Sequence, residues 1–209
     1  MRKLVTFSGS FHSLSPSKTK ALVETITHKA IARYDLDVDQ YSLSDLGSDL
    51  GLAQNFDDLG EKGDTINESF QQADAIIIAT PVYKGSYPGL FKHFIDLLDP
   101  DILYGKPILL AATGGGKRHA LMVEHQLRPL LGFFMAHSLP TAIYASAEDY
   151  SASNQIVTKE ILQRIDQAVD EFSPFIHPVS RSKYPSKALH DEASLSNQLS
   201  IENNGTQYQ

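Results

Sequence analysis

The chain has 209 residues, 42% of them hydrophobic, which is enough for one domain with a core and too little for two substantial ones. It has no cysteine, which excludes disulfides, thiolate nucleophiles and thiolate metal sites, so redox chemistry requires a borrowed cofactor. The formal net charge is −7 and there is no dense Lys/Arg block, which argues against a nucleic-acid partner, and no apolar stretch approaches membrane-spanning length. A cytoplasmic protein is the expectation.

Leu4 to Phe7 is a short apolar run closed by Ser8-Gly9-Ser10, and Lys18 to Arg33 then carries Leu22, Val23, Ile26, Ala30 and Ile31 at helical spacing. This pattern predicts a strand followed by a helix. Leu36 to Tyr41 alternates apolar and polar residues, as an exposed or edge strand does. Ser42 to Gly63 is rich in Asp, Gly and Leu without a period and reads as a long loop, and Asp64 to Gln72 reads as a short helix. Ala75 to Ala79 is a continuous apolar run, the signature of a parallel strand covered on both faces, and is the expected central strand.

Leu90, Phe91, Phe94, Ile95, Leu97 and Leu98 form a helical face that Pro100 ends. Pro107 to Ala112 is a second buried strand. His119 to Met135 reads as one helix with Leu121, Val123, Leu127, Leu130, Leu131 and Phe134 on one side and Met122 and Phe133 elsewhere, a pattern that buries two faces. Thr141 to Ala145 is the last strand and Ile156 to Phe175 the last helix. Strands alternating with helices predict an α/β three-layer sandwich around a five-stranded parallel sheet, most simply in the flavodoxin-like order 2-1-3-4-5. This domain is expected over residues 1–177. From Pro178 to Gln209 polar residues dominate without a period, which predicts a disordered tail.

Three loops follow apolar runs, and in such a sheet loops at the carboxyl ends of strands converge on one crevice. The first, Ser8 to Thr19, brings hydroxyls and Lys18 to a predicted helix start, where backbone N–H groups and the helix dipole attract a phosphate. Taken alone, Ser17 reads better as the ordinary cap of that helix. The second, Thr80 to Gly89, is fixed by Pro81 and Pro88 and opened by Gly85, a combination suited to presenting backbone groups and tyrosines to a flat ligand. The third, Thr113 to Gly116, lets the backbone approach a ligand closely. His28, His93, His119, His125 and His137 lack metal-ligand spacing, and Asp45, Asp49, Asp57 and Asp58 read as solvated acids. No isolated arginine pair marks a pocket for a ribose 2′-phosphate.

Together these loops resemble the NADPH-dependent FMN reductase family, most of all the flavin reductases of two-component alkanesulfonate and methanesulfonate monooxygenase systems. The resemblance runs from Arg2 to Phe175. It is carried by Gly9-Ser10 with Ser17-Lys18-Thr19, by Ala79 to Ser86, and by Ala112 to Gly115 with His119 and Leu127-Arg128-Pro129. It implies that Ser10, Ser17, Lys18 and Thr19 hold the FMN phosphate. By the same resemblance Pro81, Val82, Tyr83, Lys84, Gly85 and Ser86 border the isoalloxazine, while Thr113, Gly114 and Gly115 close its pyrimidine side.

The implied hydride donor is NADPH or NADH, and the implied partners are further copies of the chain, as dimer or tetramer, and an FMN-dependent monooxygenase of sulfur assimilation. Two rivals share the fold: a reductase of quinones, azo dyes or chromate that keeps its FMN, and a flavodoxin-like electron carrier. Alkanesulfonate-type reductases place a tyrosine of a π-helical, tetramer-interface segment at the position of His125, and the histidine here is similar to the methanesulfonate-type branch. Pro129 deprives the His125 carbonyl of its usual donor, so a kink or π-bulge is expected there.

Overall fold

The computed structural model describes residues 1–11 and 17–176, so the expected polar tail lies outside the described residues. Six strands, β1 (Arg2–Ser8), β2 (Leu36–Ser42), β3 (Ala75–Pro81), β4 (Pro107–Gly114), β5 (His137–Ser138) and β6 (Ile143–Ser146), form one sheet. Its order is β2-β1-β3-β4-β5, with β6 also on β4, and every pairing is parallel. This is the flavodoxin-like order. Parallel strands require crossovers, and the helices that make them cover both faces. For that reason β3 is buried along its whole length and reads as an unbroken apolar run. β2 lies at the edge and shows the mixed exposure its alternation predicts.

Side chains alternate across a strand, so each strand feeds two cores. Ile76 and Ile78 join Val5, Phe7, Ile108 and Leu110 on one face, under helices α2 (Gly60–Gln72) and α3 (Gly89–Leu97). Ala75, Ile77 and Ala79 join Leu4, Leu109 and Ala111 on the other, under helices α1 (Lys18–Ile31) and α5 (Lys159–Asp170). On the first face Phe7 stacks on Phe94 with ring centroids 4.6 Å apart and an interplanar angle of 10°. No helix among the described residues is long and apolar enough to cross a membrane.

Four expectations need correction. The stretch Ser42 to Gly63 is no loop: it contains 3-10 turns at Leu43–Leu46, Asp49–Gly51 and Phe56–Leu59, and α2 already begins at Gly60. Leu43, Leu46, Leu50 and Leu59 are all buried, so the leucines that lacked a helical period are core residues placed by short turns. Asp45 and Asp58 close capping boxes with Ser42 and Asn55 and are therefore structural. The N–H groups of Gln54 and Asn55 hold the Asp58 carboxyl below the usual carboxylate range.

The segment from His119 to Met135 is not one helix. A 3-10 turn at Lys117–His119 leads to a π-helix at Val123–Leu127 and then to α4 (Arg128–Gly132). The Arg128 N–H reaches the Val123 carbonyl, a five-residue step, immediately before Pro129, which has no N–H to donate. Met122 is buried, and the large apolar side chains left open on this segment are Leu121 at 64%, Phe133 at 69% and Met135 at 65% exposure.

The fifth strand position is split into β5 and β6, because Pro140 between them cannot donate to the ladder. The last helix is likewise divided, into α5 and α6 (Ser173–Ile176).

Candidate functional site

The carboxyl ends of β1, β3 and β4 lie side by side, and the first loop starts from a ladder extended by one more bond, from Gly9 N–H to the Ala79 carbonyl at 2.7 Å. Ser17 caps α1: its Oγ accepts from the Lys20 N–H at 3.3 Å and donates to Ser10 Oγ at 2.9 Å. The first turn of a helix leaves N–H groups without intrahelical partners, and the dipole adds partial positive charge there. Two hydroxyls and a helix start thus share one spot.

Lys18 adds its charge from the side. Its ammonium sits 5.4 Å from the ring centroid of Tyr150, whose hydroxyl donates to the Lys18 carbonyl at 3.1 Å. Burial, with Asp149 nearby, pushes the Tyr150 phenol well above its ordinary value, so it remains a donor at any working pH. The Thr19 and Thr113 hydroxyls bond each other at 2.7 Å in buried surroundings, and so fasten α1 to the end of β4 beneath the mouth.

The second and third loops are joined by the Val82 N–H, which donates to the Thr113 carbonyl at 2.7 Å. Tyr83 to Ser86 is a two-residue hairpin with reciprocal backbone bonds of 2.8 and 3.1 Å. Its central residues have φ of 55° at Lys84 and 89° at Gly85, the primed turn that matches strand twist. Ser86 Oγ donates to Gln126 Oε1 at 2.9 Å, which ties the turn to the π-helix.

In the third loop a Cβ on Gly114 would lie 2.1 Å from the Tyr144 hydroxyl, so glycine is required there for packing. That hydroxyl donates to the Gly116 carbonyl at 2.6 Å and fixes the loop beyond. Burial raises the Tyr144 phenol above its ordinary value. Between the two loops opens a cavity of about 640 Å³ lined by Val82, Lys84, Gly85, Gly115, Gly116, Arg118 and His119. A Cβ at Gly115 or Gly116 would meet nothing within 4 Å, so the backbone itself borders open space.

Residues 2–151 match the NADPH-dependent FMN reductase family. The chain belongs to that family. It is 40% identical over 174 residues to the NADH-dependent FMN reductase SfnF of Pseudomonas putida, covering 83% of this chain and 92% of that one. It is 37% identical over 172 residues to an FMN reductase (NADPH) of Pseudomonas aeruginosa, covering 82% and 91%. Among solved structures, an NADH:FMN oxidoreductase (EmoB) in its apo form superposes with a TM-score of 0.71 at 29% identity, covering 82% of this chain and 88% of that chain.

The residues of this family member fit a flavin mononucleotide on two counts. The capped start of α1 with Ser10, Ser17 and Lys18 is a donor set for a phosphate, and the glycine-bordered cavity leaves room for a flat ring. Of the residues expected at the ring, Val82, Lys84, Gly85 and Gly115 line the cavity. Pro81, Thr113 and Gly114 are strand residues behind it, and Tyr83 and Ser86 close the hairpin beside it. Sequence reasoning missed Tyr144, Tyr150 and Arg118. The two tyrosines act across strands and leave no local signal, and Arg118 is distant in sequence from Lys84. Among the described residues no cluster of His, Asp and Glu suited to a metal ion occurs.

Proposed function

We propose that this protein is an NAD(P)H-dependent FMN reductase that passes reduced FMN to a flavin-dependent monooxygenase of sulfonate or sulfur assimilation in the cytoplasm. The observation that carries this reading is the joint presence, at the carboxyl end of the sheet, of a phosphate-attracting helix start and a glycine-bordered cavity. FMN supplies the hydride-accepting ring. Ser10, Ser17 and Lys18 hold the phosphate by charge-assisted hydrogen bonds and the helix dipole. Thr19 and Thr113 keep α1 and β4 in register beneath it. Pro81, Val82, Tyr83, Lys84, Gly85 and Ser86 wall one side of the ring, and Gly114 and Gly115 border its pyrimidine edge. Hydride transfer depends on stacking geometry more than on a side-chain acid, in keeping with a cavity that has no acid/base pair in its lining.

Flavin serves as an exchangeable substrate. The chain has no cysteine for covalent attachment, and a reductase that must release its product cannot bind it too tightly. The test is NAD(P)H oxidation by the purified protein with and without added FMN. Nearly colourless protein whose turnover saturates with FMN is expected. A yellow protein with about one flavin per chain, retained on dialysis and reducing quinone regardless of added FMN, would place it with the flavin-retaining reductases instead. Relatives with either nicotinamide preference leave both donors within this reading.

Exposed Leu121 and Phe133 flank the π-helix and support self-association through that segment. Phe133→Glu is expected to lower the assembly state seen by light scattering. A wild type that is monomeric at micromolar concentration would end the idea.

A further inference from the structure

Two cations stand at the rim of the glycine-bordered cavity, Lys84 and Arg118. Among the described residues no carboxylate lies within ion-pair distance of Lys84 or Arg118, whereas Lys92, Lys117 and Arg128 are bridged to Asp96, Glu148 and Glu124. The contrast is sharpest between neighbours, since Lys117 reaches Glu148 at 2.9 Å while Arg118 lines the cavity.

Arg118 is also oriented. Its Nε donates to His119 Nε2 at 3.0 Å, which occupies one edge of the guanidinium and leaves the terminal nitrogens for a ligand. In that bond His119 Nε2 is the acceptor beside the cation. Lys84 stands at φ 55°, a left-handed turn position where Asn or Gly fits more easily. Lys84, at this conformational cost, lines the same cavity as Arg118, so two positive charges face one space. The chain as a whole carries −7, so an anionic reactant needs such a local counter-field.

We propose that Lys84 and Arg118 form a phosphate subsite for the nicotinamide dinucleotide, with His119 as the positioning residue for the guanidinium. The inference rests on the FMN reductase reading, in which the flavin phosphate occupies the start of α1 and the dinucleotide is the second anionic reactant. A guanidinium grips phosphate oxygens in a two-pronged contact, and the ammonium adds a point charge. The phosphate is either the diphosphate common to NADH and NADPH or the 2′-phosphate of NADPH alone.

Steady-state kinetics of Arg118→Ala, Arg118→Lys, Lys84→Asn and His119→Ala with both dinucleotides test this. Lys84→Asn preserves the left-handed turn. Arg118→Ala should raise the dinucleotide KM about tenfold, with Arg118→Lys recovering part of the loss, while the KM for FMN stays within about twofold. An equal rise for NADH and NADPH assigns the diphosphate, and a rise for NADPH alone assigns the 2′-phosphate. His119→Ala should act in the same direction and add nothing in the Arg118→Ala background, which a merely structural histidine would not show. An unchanged dinucleotide KM in Arg118→Ala and Lys84→Asn, or a rise in the FMN KM instead of the dinucleotide KM in Arg118→Ala, overturns the subsite.

Calorimetric titration with ADP and adenosine 2′,5′-bisphosphate reads the subsite without turnover. A wild type that fails to oxidise NAD(P)H removes the reductase reading, while nucleotide binding lost in Arg118→Ala upholds the subsite. Absence of nucleotide binding to the wild type overturns it.

Discussion

The two halves of the sheet are built differently. From β1 to β4 the strands are connected through α1, α2 and α3, with three 3-10 turns only between β2 and α2, and the ladders run over five to seven paired residues. Beyond β4 the chain runs through a 3-10 turn, a π-helix and a five-residue α-helix, and the fifth strand position is filled by two short pieces. The regular half holds the core and the helix start; the irregular half supplies Gly115, Arg118, His119 and the Tyr144 clamp. Prolines account for much of the difference, because Pro129 and Pro140 each remove a backbone donor where a helix or ladder would otherwise continue. The frame is set by packing, while the mouth is set by a few hydrogen bonds between segments.

The largest effect is expected in the regular half. Phe94→Ala removes a fully buried ring stacked on Phe7 and should cost about 4 kcal/mol in urea unfolding. A cost near that of a surface substitution would mean that the stacked core does not carry the frame.

Next comes the polar end of that half. Ser17→Ala with Lys18→Ala should weaken FMN binding by about 3 kcal/mol in a fluorescence titration, since charge-assisted bonds are strong but not additive. Unchanged affinity would remove the phosphate assignment to α1.

In the irregular half the telling change is Gly114→Ala. The new methyl collides with the Tyr144 hydroxyl and breaks its bond to Gly116, for about 2 kcal/mol of stability and a larger proportional loss of turnover. Tyr144→Phe, which removes the bond without the collision, should reproduce the loss of turnover with less unfolding. Equal losses in both would mean that Tyr144 only fills space.

The smallest effect is one of pH. Lys3 of β1 at 2.8 Å and Ser69 of α2 at 2.7 Å donate to Asp39 of β2 and hold its carboxyl below the usual range. A folded-state value below the unfolded one, about 4, means the contribution is present above that pH and fades as pH falls through the folded value. Acid unfolding of Asp39→Asn should therefore be less steep than that of the wild type at the low end. Identical profiles would show that the pair is screened to insignificance.

Much of the regular half was legible in the amino-acid order. Apolar runs such as Ala75 to Ala79 and the helical spacing from Leu22 to Ile31 report burial on two faces or one, and burial is what fixes these elements. The stretch after Ser42 was not legible, because 3-10 turns closed by Asp45 and Asp58 have too few residues to show a period. The single helix read from His119 to Met135 failed for a related reason: the apolar spacing is helical on average, while its register shifts at the π-helix. Of the two residues read off the main apolar side, Met122 is buried and Phe133 is exposed.

By itself the sequence determined the alternation of strands and helices, the two cores and the hydroxyl-rich helix start, since these follow from local periodicity and from the requirement that parallel strands be crossed by helices. The loops that resemble FMN reductases were likewise visible as short continuous stretches. Only the tertiary structure decided which side chains share the mouth: Thr19 with Thr113, Tyr150 with Lys18, Tyr144 with Gly116, and Lys84 with Arg118 around one cavity. Each of these pairings joins residues distant along the chain, and a contact between distant residues has no local period because packing of the whole sheet brings the two ends together.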